Sequence, residues 1–325
     1  MEYNQDRSSQ TDAGKNSHWE REVIEKLVLS SVTEQRRTRR WSIFFKSLLA
    51  IYLLVLFITA MYPSFKDNFG SGSNGHTAVI DLVGPIAENT DASANNIIES
   101  LRDAVKDKNT KGIILHANSP GGSPVQSSYV YEELRTIKKE HPDIPVYSVV
   151  SDICASGCYY IAAASDKIFV NPSSLIGSIG VLMDGFGFVE GMQKLGVERR
   201  LLTAGKHKAL LDPFSPPKAD ETAFMQALLD EVHQQFISAV RTGRGSRLKE
   251  TPDMFSGLVW TGETGVKLGI ADAFGNEDYV AKKIIGAEHQ VNFTHQGRLI
   301  DKLAGKLGAS FGHAFSKLLN EISLR

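Results

Sequence analysis

From Thr77 onward the apolar positions of this chain alternate between two periods. Thr77 to Val83 and Gly112 to Ala117 are short apolar runs that read as strands. Between them, over Asp91 to Val105, Ile97, Ile98, Leu101, Ala104 and Val105 fall on one face of a helix. The same rhythm continues with a helix over Pro124 to Glu140, a buried strand over Val146 to Val150 and a helix over Tyr159 to Ala164. A strand over Lys167 to Val170 follows, then a long amphipathic helix over 218–242, and Leu258 to Phe274 closes the domain. Strands alternating with helices of ten or more residues predict an α/β fold with a parallel sheet and crossover helices. In such sheets, sites form at the carboxyl ends of strands. Two glycine-containing turns fall there, Asn118 to Gly122 and Ser151 to Gly157.

Upstream the pattern changes. From Trp41 to Tyr62 the chain is uncharged apart from Lys46 and mostly apolar, long enough to cross a hydrocarbon core of roughly 30 Å if Lys46 snorkels. Trp41 and Tyr62 stand at the two ends, where amphipathic rings prefer the headgroup layer. Arg36, Arg37, Arg39 and Arg40 precede the span, and the far side begins Pro63-Ser64-Phe65-Lys66-Asp67. The positive flank predicts a cytoplasmic N-terminus and a domain outside. A cleaved signal peptide fits less well, because the leader is long and no small-x-small site lies near Ala60. The expected organisation is a cytoplasmic tail over 1–40 with a short amphipathic helix at Trp19, Val23, Ile24, Leu27 and Val28. It continues as a membrane anchor over 41–62, a Gly/Ser/Asn linker over 63–76, an α/β domain over 77–286 and an amphipathic C-terminal segment over 287–325. That last segment repeats Leu299, Leu303, Leu307, Phe311, Phe315, Leu318 and Ile322 at helical spacing, which suits anionic lipid or another subunit.

Charge narrows the function classes. Lys plus Arg number 36 and Asp plus Glu 37, so no global field points to nucleic acid. No P-loop, EF-hand or HExxH pattern occurs, and no metal or other cofactor is inferred. Cys154 and Cys158 are the only two cysteines. Residues four apart around a turn seldom meet disulfide geometry, so buried thiols are expected.

The turn at Ala155-Ser156-Gly157 carries the first candidate chemistry. A serine between strand and helix projects its hydroxyl from the turn, and the next backbone N–H can face a developing oxyanion at the helix N-terminus. The bland reading is a serine N-cap. Gly121-Gly122 offers further exposed N–H groups, or is a plain turn before a helix capped by Ser123. A histidine base of the Ser-His-Asp kind has few candidates, since none occurs between Ser156 and His207. His116, on the strand before the glycine turn, is expected to be a core or lining residue.

Five motifs, in order, resemble the signal peptide peptidase A family of serine peptidases. They are Asn118 to Gly122, Ala155 to Ala162, Ile176 to Val181, Gly205 to Lys208 followed by Asp212-Pro213-Phe214, and Gly257 to Glu263. The similarity covers roughly Ala78 to Ile285, and the cysteines depart from it at positions where small residues are usual. The resemblance implies a fold like crotonases and Clp proteases, built of repeated ββα units. It implies Ser156 as nucleophile and Lys208 as general base, with Ser178 bonded to the lysine and Gly121 N–H as an oxyanion donor facing Gly157 N–H. A lysine base must be neutral, which desolvation accomplishes, and Ala209-Leu210-Leu211, Pro213 and Phe214 are suitable walls. His207 is the competitor for that role. Substrates would be remnant signal peptides and other apolar extended peptides, lined by residues near Ile176 and Ile179. The setting would be a bacterial inner membrane, with the peptidase domain in the periplasm. The exposed character expected of 205–217 suits a homo-oligomer in which serine and lysine come from neighbouring subunits. Rivals are a crotonase-type acyl-CoA enzyme and a non-catalytic scaffold of the same fold.

Overall fold

The structure, a computed structural model, describes residues 39–57 and 75–295, together with Arg37. Two units divide the chain, Met1–Ser71 and Gly72–Arg325. In the first, helix α1 (Arg39–Phe57) has 19 residues and is long and apolar enough to cross a membrane. The rest of the apolar stretch, the helix expected near Trp19 and the C-terminal pattern from Leu299 lie outside the described residues.

The second unit is α/β. It begins with β1 (His76–Val83), α2 (Ala94–Lys106), β2 (Thr110–Ser119), α3 (Pro124–Glu140), β3 (Val146–Ala155) and α4 (Gly157–Ala162). It continues through β4 (Lys167–Val170), β5 (Leu175–Gly177), α5 (Val189–Lys194) and α6 (Ala219–Arg244). The last elements are β6 (Val259–Thr261), α7 (Gly262–Leu268), β7 (Ala273–Phe274), α8 (Glu277–Tyr279) and β8 (Gln290–Asn292). The sheet runs β6-β5-β3-β2-β1-β8, with β4 beside β3 and β7 beside β4. Every pairing is parallel except β5–β6.

Both faces of the central strands are apolar, as parallel strands require. Ala78, Ile80, Leu82, Ile113, Leu115 and Val146 meet α2, α3, α4 and the end of α6 in the main core. On the opposite face Val79, Ile114, Val149 and Phe169 pack against Val280 and Ala281, in the π-helical turns after α8. Helix α2 buries Ala94, Ile97, Leu101 and Ala104, the face that its 3.6-residue pattern predicts. Helix α3 starts with Pro124 and is capped by Ser123, whose Oγ accepts from Gln126 N.

Several boundaries differ from the sequence reading. Strand β3 does not stop at Val150 but continues to Ala155, because it forks. Its first half pairs with β4, ending at Val150–Val170, and its second half pairs with β5 over Ile153 to Ala155. Residues 151–155 have no strand signature of their own, and their partners impose one. Helix α4 therefore starts at once, at Gly157. The sheet also extends beyond residue 286: β8 pairs Thr77–Val79 with Gln290–Asn292, and Asp81 N donates to Thr294 Oγ1.

Candidate active site

Ser156 occupies the single residue between β3 and α4. Its backbone has φ 53° and ψ −122°, in a region that residues with a Cβ rarely adopt. Two hydrogen bonds hold the turn: Ser156 N donates to Gly177 O at 2.8 Å, and Tyr160 N to Ser156 O at 2.9 Å. The serine makes no side-chain cap bond to α4, so it is not an N-cap in the ordinary sense. The residue is half-buried, and its hydroxyl has no partner among the described residues.

The glycine turn after β2 presses directly on this serine. A β-carbon on Gly121 would stand 2.7 Å from Gly157 N and 2.8 Å from Ser156 Cβ, so no side chain fits there, and its φ of 97° already favours glycine. Gly157 is equally confined, since a β-carbon there would lie 2.4 Å from Ser127 Oγ. The Gly157 N–H, at the first position of α4, is outside that helix's own ladder. Gly121 N–H, by contrast, donates to Ser119 Oγ at 3.1 Å, so that donor is engaged in this conformation. Gly122, to which the sequence reading gave no separate role, is the neighbour that also faces this turn. Its nitrogen lies 3.2 Å from the place a Gly157 β-carbon would take.

The remaining site residues are distributed unequally. Ser178 follows Gly177, whose carbonyl holds Ser156, and it too has φ 53°. Lys208 is exposed, and its ammonium has no hydrogen-bond or ion-pair partner among the described residues; no bond joins it to Ser156 or Ser178. The expected walls do not enclose it either. Phe214 instead stacks on Phe188 at 5.4 Å between ring centres, beneath the Arg199 guanidinium, and Asp212 is taken by Arg199 and Ser215. His207 is exposed as well. Ile176 and Ile179 do not line an open groove: Ile176 on β5, which lies inside the sheet, and Ile179 just after it are both fully buried in the main core. Two of the larger cavities lie away from Ser156. One of about 1020 Å³ is lined by the 185–221 segment, and another of about 700 Å³ by Ser151, Asn171, Ser174, Asn276 and Glu277 among others.

Two arrangements were not foreseen. Cys154 and Cys158 are not thiols but a disulfide, with Cα atoms 5.1 Å apart. The left-handed turn at Ser156 brings the strand end and the first helical turn within bridging distance, which an ordinary loop would not. Second, on the sheet face away from the main core, His116 Nδ1 lies 2.8 Å from Asp81 Oδ1 and its Nε2 2.9 Å from Ser151 Oγ. This row has the connectivity of a serine-hydrolase triad, but its chemistry is different. Glu277 stands 3.5 Å from the same Nε2, and the hydrogen bond that His116 donates to Asp81, aided by Glu277, raises the His116 pKa against the opposing effect of burial. Ser151 also has no glycine turn or helix start beside it. The row is a cross-strand brace. Among the described residues no cluster of His, Cys, Asp and Glu could hold a metal ion.

Residues 76–176 match the Clp protease family model and residues 138–291 that of peptidase family S49. Together with the strand order and the serine turn, these matches define a Clp-like α/β scaffold. Residues 138–291 thus carry a peptidase family S49 domain, and the similar proteins include ones named signal peptide peptidase SppA and Protease 4. A putative signal peptide peptidase SppA from Enterococcus faecium is 33% identical over 180 residues, 55% of this chain and 52% of that protein. Protease 4 of Salmonella typhi is 30% identical over 237 residues, 68% of this chain and 36% of that protein. A Brucella abortus protein named Na(+)/H(+) antiporter NhaA is 42% identical over 208 residues, 64% of this chain but 27% of that protein. The chain thus spans between about a quarter and a half of these relatives.

Proposed function

We propose that this protein is a membrane-anchored serine endopeptidase whose nucleophile is Ser156. The observation that carries this reading is the uncapped, half-buried Ser156 at a positive φ, pressed against the Gly121-Gly122 turn. In the proposed reaction Ser156 Oγ gives its proton to neutral Lys208 Nζ and attacks the peptide carbonyl. Gly157 N–H and Gly121 N–H, released from Ser119, receive the oxyanion. Lys208 then protonates the departing amine, and water resolves the acyl-enzyme. Ser178 orients the lysine. Because Lys208 is exposed in one chain, a second copy must bury it to favour its neutral form. A serine-directed fluorophosphonate should label the wild type and leave Ser156→Ala unlabelled. Equal labelling of both would remove Ser156 from the role. Lys208→Met should lose all but a few per cent of peptide hydrolysis while remaining folded; substantial residual activity would shift the base role to His207.

The same reading places α1 across a bacterial inner membrane, with the peptidase domain in the periplasm. Two observations support it: the arginine cluster at and just before the start of α1, and a disulfide within the domain, since disulfides persist outside the cytosol. Protease added to spheroplasts should digest the domain and spare only a short N-terminal fragment; a protected domain would reverse the orientation. An outward face and an apolar anchor suit membrane-delivered substrates, namely leftover signal peptides and other apolar extended peptides.

A further inference from the structure

The Cys154–Cys158 bond encloses Ser156 in a five-residue loop, with one sulfur on each side of it. The bond ties the sheet to the helix across the serine. Cys154 is paired with Ser119 on β2 and with Ile176 on β5, so its backbone is fixed by the sheet. Cys158 lies in the first turn of α4, and both side chains are fully buried. Between them Ser156 holds a left-handed φ that a residue with a Cβ leaves readily unless its surroundings prevent it. Without the bond, only two backbone hydrogen bonds hold the serine itself, one from its own N–H to Gly177 and one to its carbonyl from Tyr160.

We infer that Cys154 and Cys158 are positioning residues for Ser156: their disulfide locks the strand-to-helix turn so that the hydroxyl faces the Gly121-Gly122 turn. This inference rests on Ser156 being the nucleophile. Reduction by a dithiol transfers two electrons and two protons, breaks the Sγ–Sγ bond, leaves two thiols and converts the reductant to its own disulfide. The freed turn relaxes toward negative φ, and the hydroxyl moves away from the oxyanion donors. Misplacement of a reacting group by about 1 Å costs as much as a hundredfold in rate, so even partial relaxation is measurable.

The test uses the full-length protein in detergent, with its thiols counted by alkylation after denaturation. Fluorophosphonate labelling rates are measured across probe concentrations, before and after dithiothreitol. The maximal rate should fall at least about tenfold on reduction, with the half-saturating concentration unchanged, because the probe pocket stays and only the attacking group moves. Circular dichroism should show the protein folded in both states. The double variant Cys154→Ala/Cys158→Ala should label at the reduced rate and ignore dithiothreitol. Equal maximal rates for oxidised protein and the folded double variant would overturn the inference. So would two free thiols in protein purified from the oxidising compartment. If the oxidised wild type itself fails to label, the assignment of Ser156 falls and takes this inference with it, an outcome plainly different from equal rates.

Discussion

His116 shows how one side chain can join elements far apart in sequence. It sits on β2, bonds Asp81 on β1 and Ser151 on β3, and faces Glu277 at the start of α8. Asp81 also accepts from Asn292 Nδ2, so the brace reaches β8. The hydrogen bond to Asp81 raises the His116 pKa, while the bond from His116 lowers that of Asp81. A raised histidine contributes stability that is fully present below its unfolded value of about 6.5 and is lost as pH rises through the folded value. The depressed aspartate contributes above about 4 and is lost on acidification. The brace is therefore strongest between those limits. Wild type should exceed His116→Gln in stability by about 1 kcal/mol near pH 5.5, a charged hydrogen bond in a half-buried setting. Denaturant unfolding at pH 8.5 should show a smaller gap; an equal gap at both pH values would mean that His116 stays neutral.

Among the elements, α6 is buried mainly at its carboxyl end. Its carboxyl half buries Phe236, Ile237 and Val240, and its last residue, Arg244, is the largest fully buried side chain. Arg244 donates to Gly269 O from Nε and Nη2, and to Asp272 Oδ2 from Nη1 at 2.8 Å. Asp272 in turn accepts from Ile168 N on β4, so one ion pair ties α6, β4 and the segment before β7. Arg244→Ala would leave a carboxylate and a carbonyl short of their buried partner. Loss of one partner of a buried pair typically costs about 3–5 kcal/mol, so the variant should unfold at markedly lower urea concentration. A shift under about 1 kcal/mol would show that Arg247, 3.5 Å from the same carboxylate, replaces it.

For the whole molecule, the other half of α6 and the segment before it are the exposed part. Leu182, Phe186, Leu195 and Leu202 are 81%, 79%, 80% and 97% exposed, and Phe224 and Leu228 continue the apolar surface onto α6. Exposed apolar side chains of this kind suit the proposed contact with a second copy of the chain, and the same segment carries Lys208. A second copy of the chain covering it would desolvate the lysine and bring it to a serine. Co-assembled Ser156→Ala and Lys208→Ala subunits, each inactive alone, should then recover part of the activity, since some interfaces pair an intact serine with an intact lysine. If activity stays absent after verified subunit exchange, the dyad forms within one chain.

The strands and helices from β1 to β4, the apolar helix and the turn bearing Ser156 could all be read from local pattern, because periodicity and glycine placement act over a few residues. The amphipathic face of α2 and the proline-led start of α3 are clear cases. The fork in β3, the entry of β8, the Asp81–His116–Ser151 brace and the Cys154–Cys158 bond were decided only by the tertiary structure. Each depends on which strands become neighbours, or on a backbone conformation that distant partners enforce. The bond between the two cysteines is the plainest example. Their spacing argued against it, and the left-handed turn at Ser156, held by the carbonyl of Gly177 on β5, made it possible.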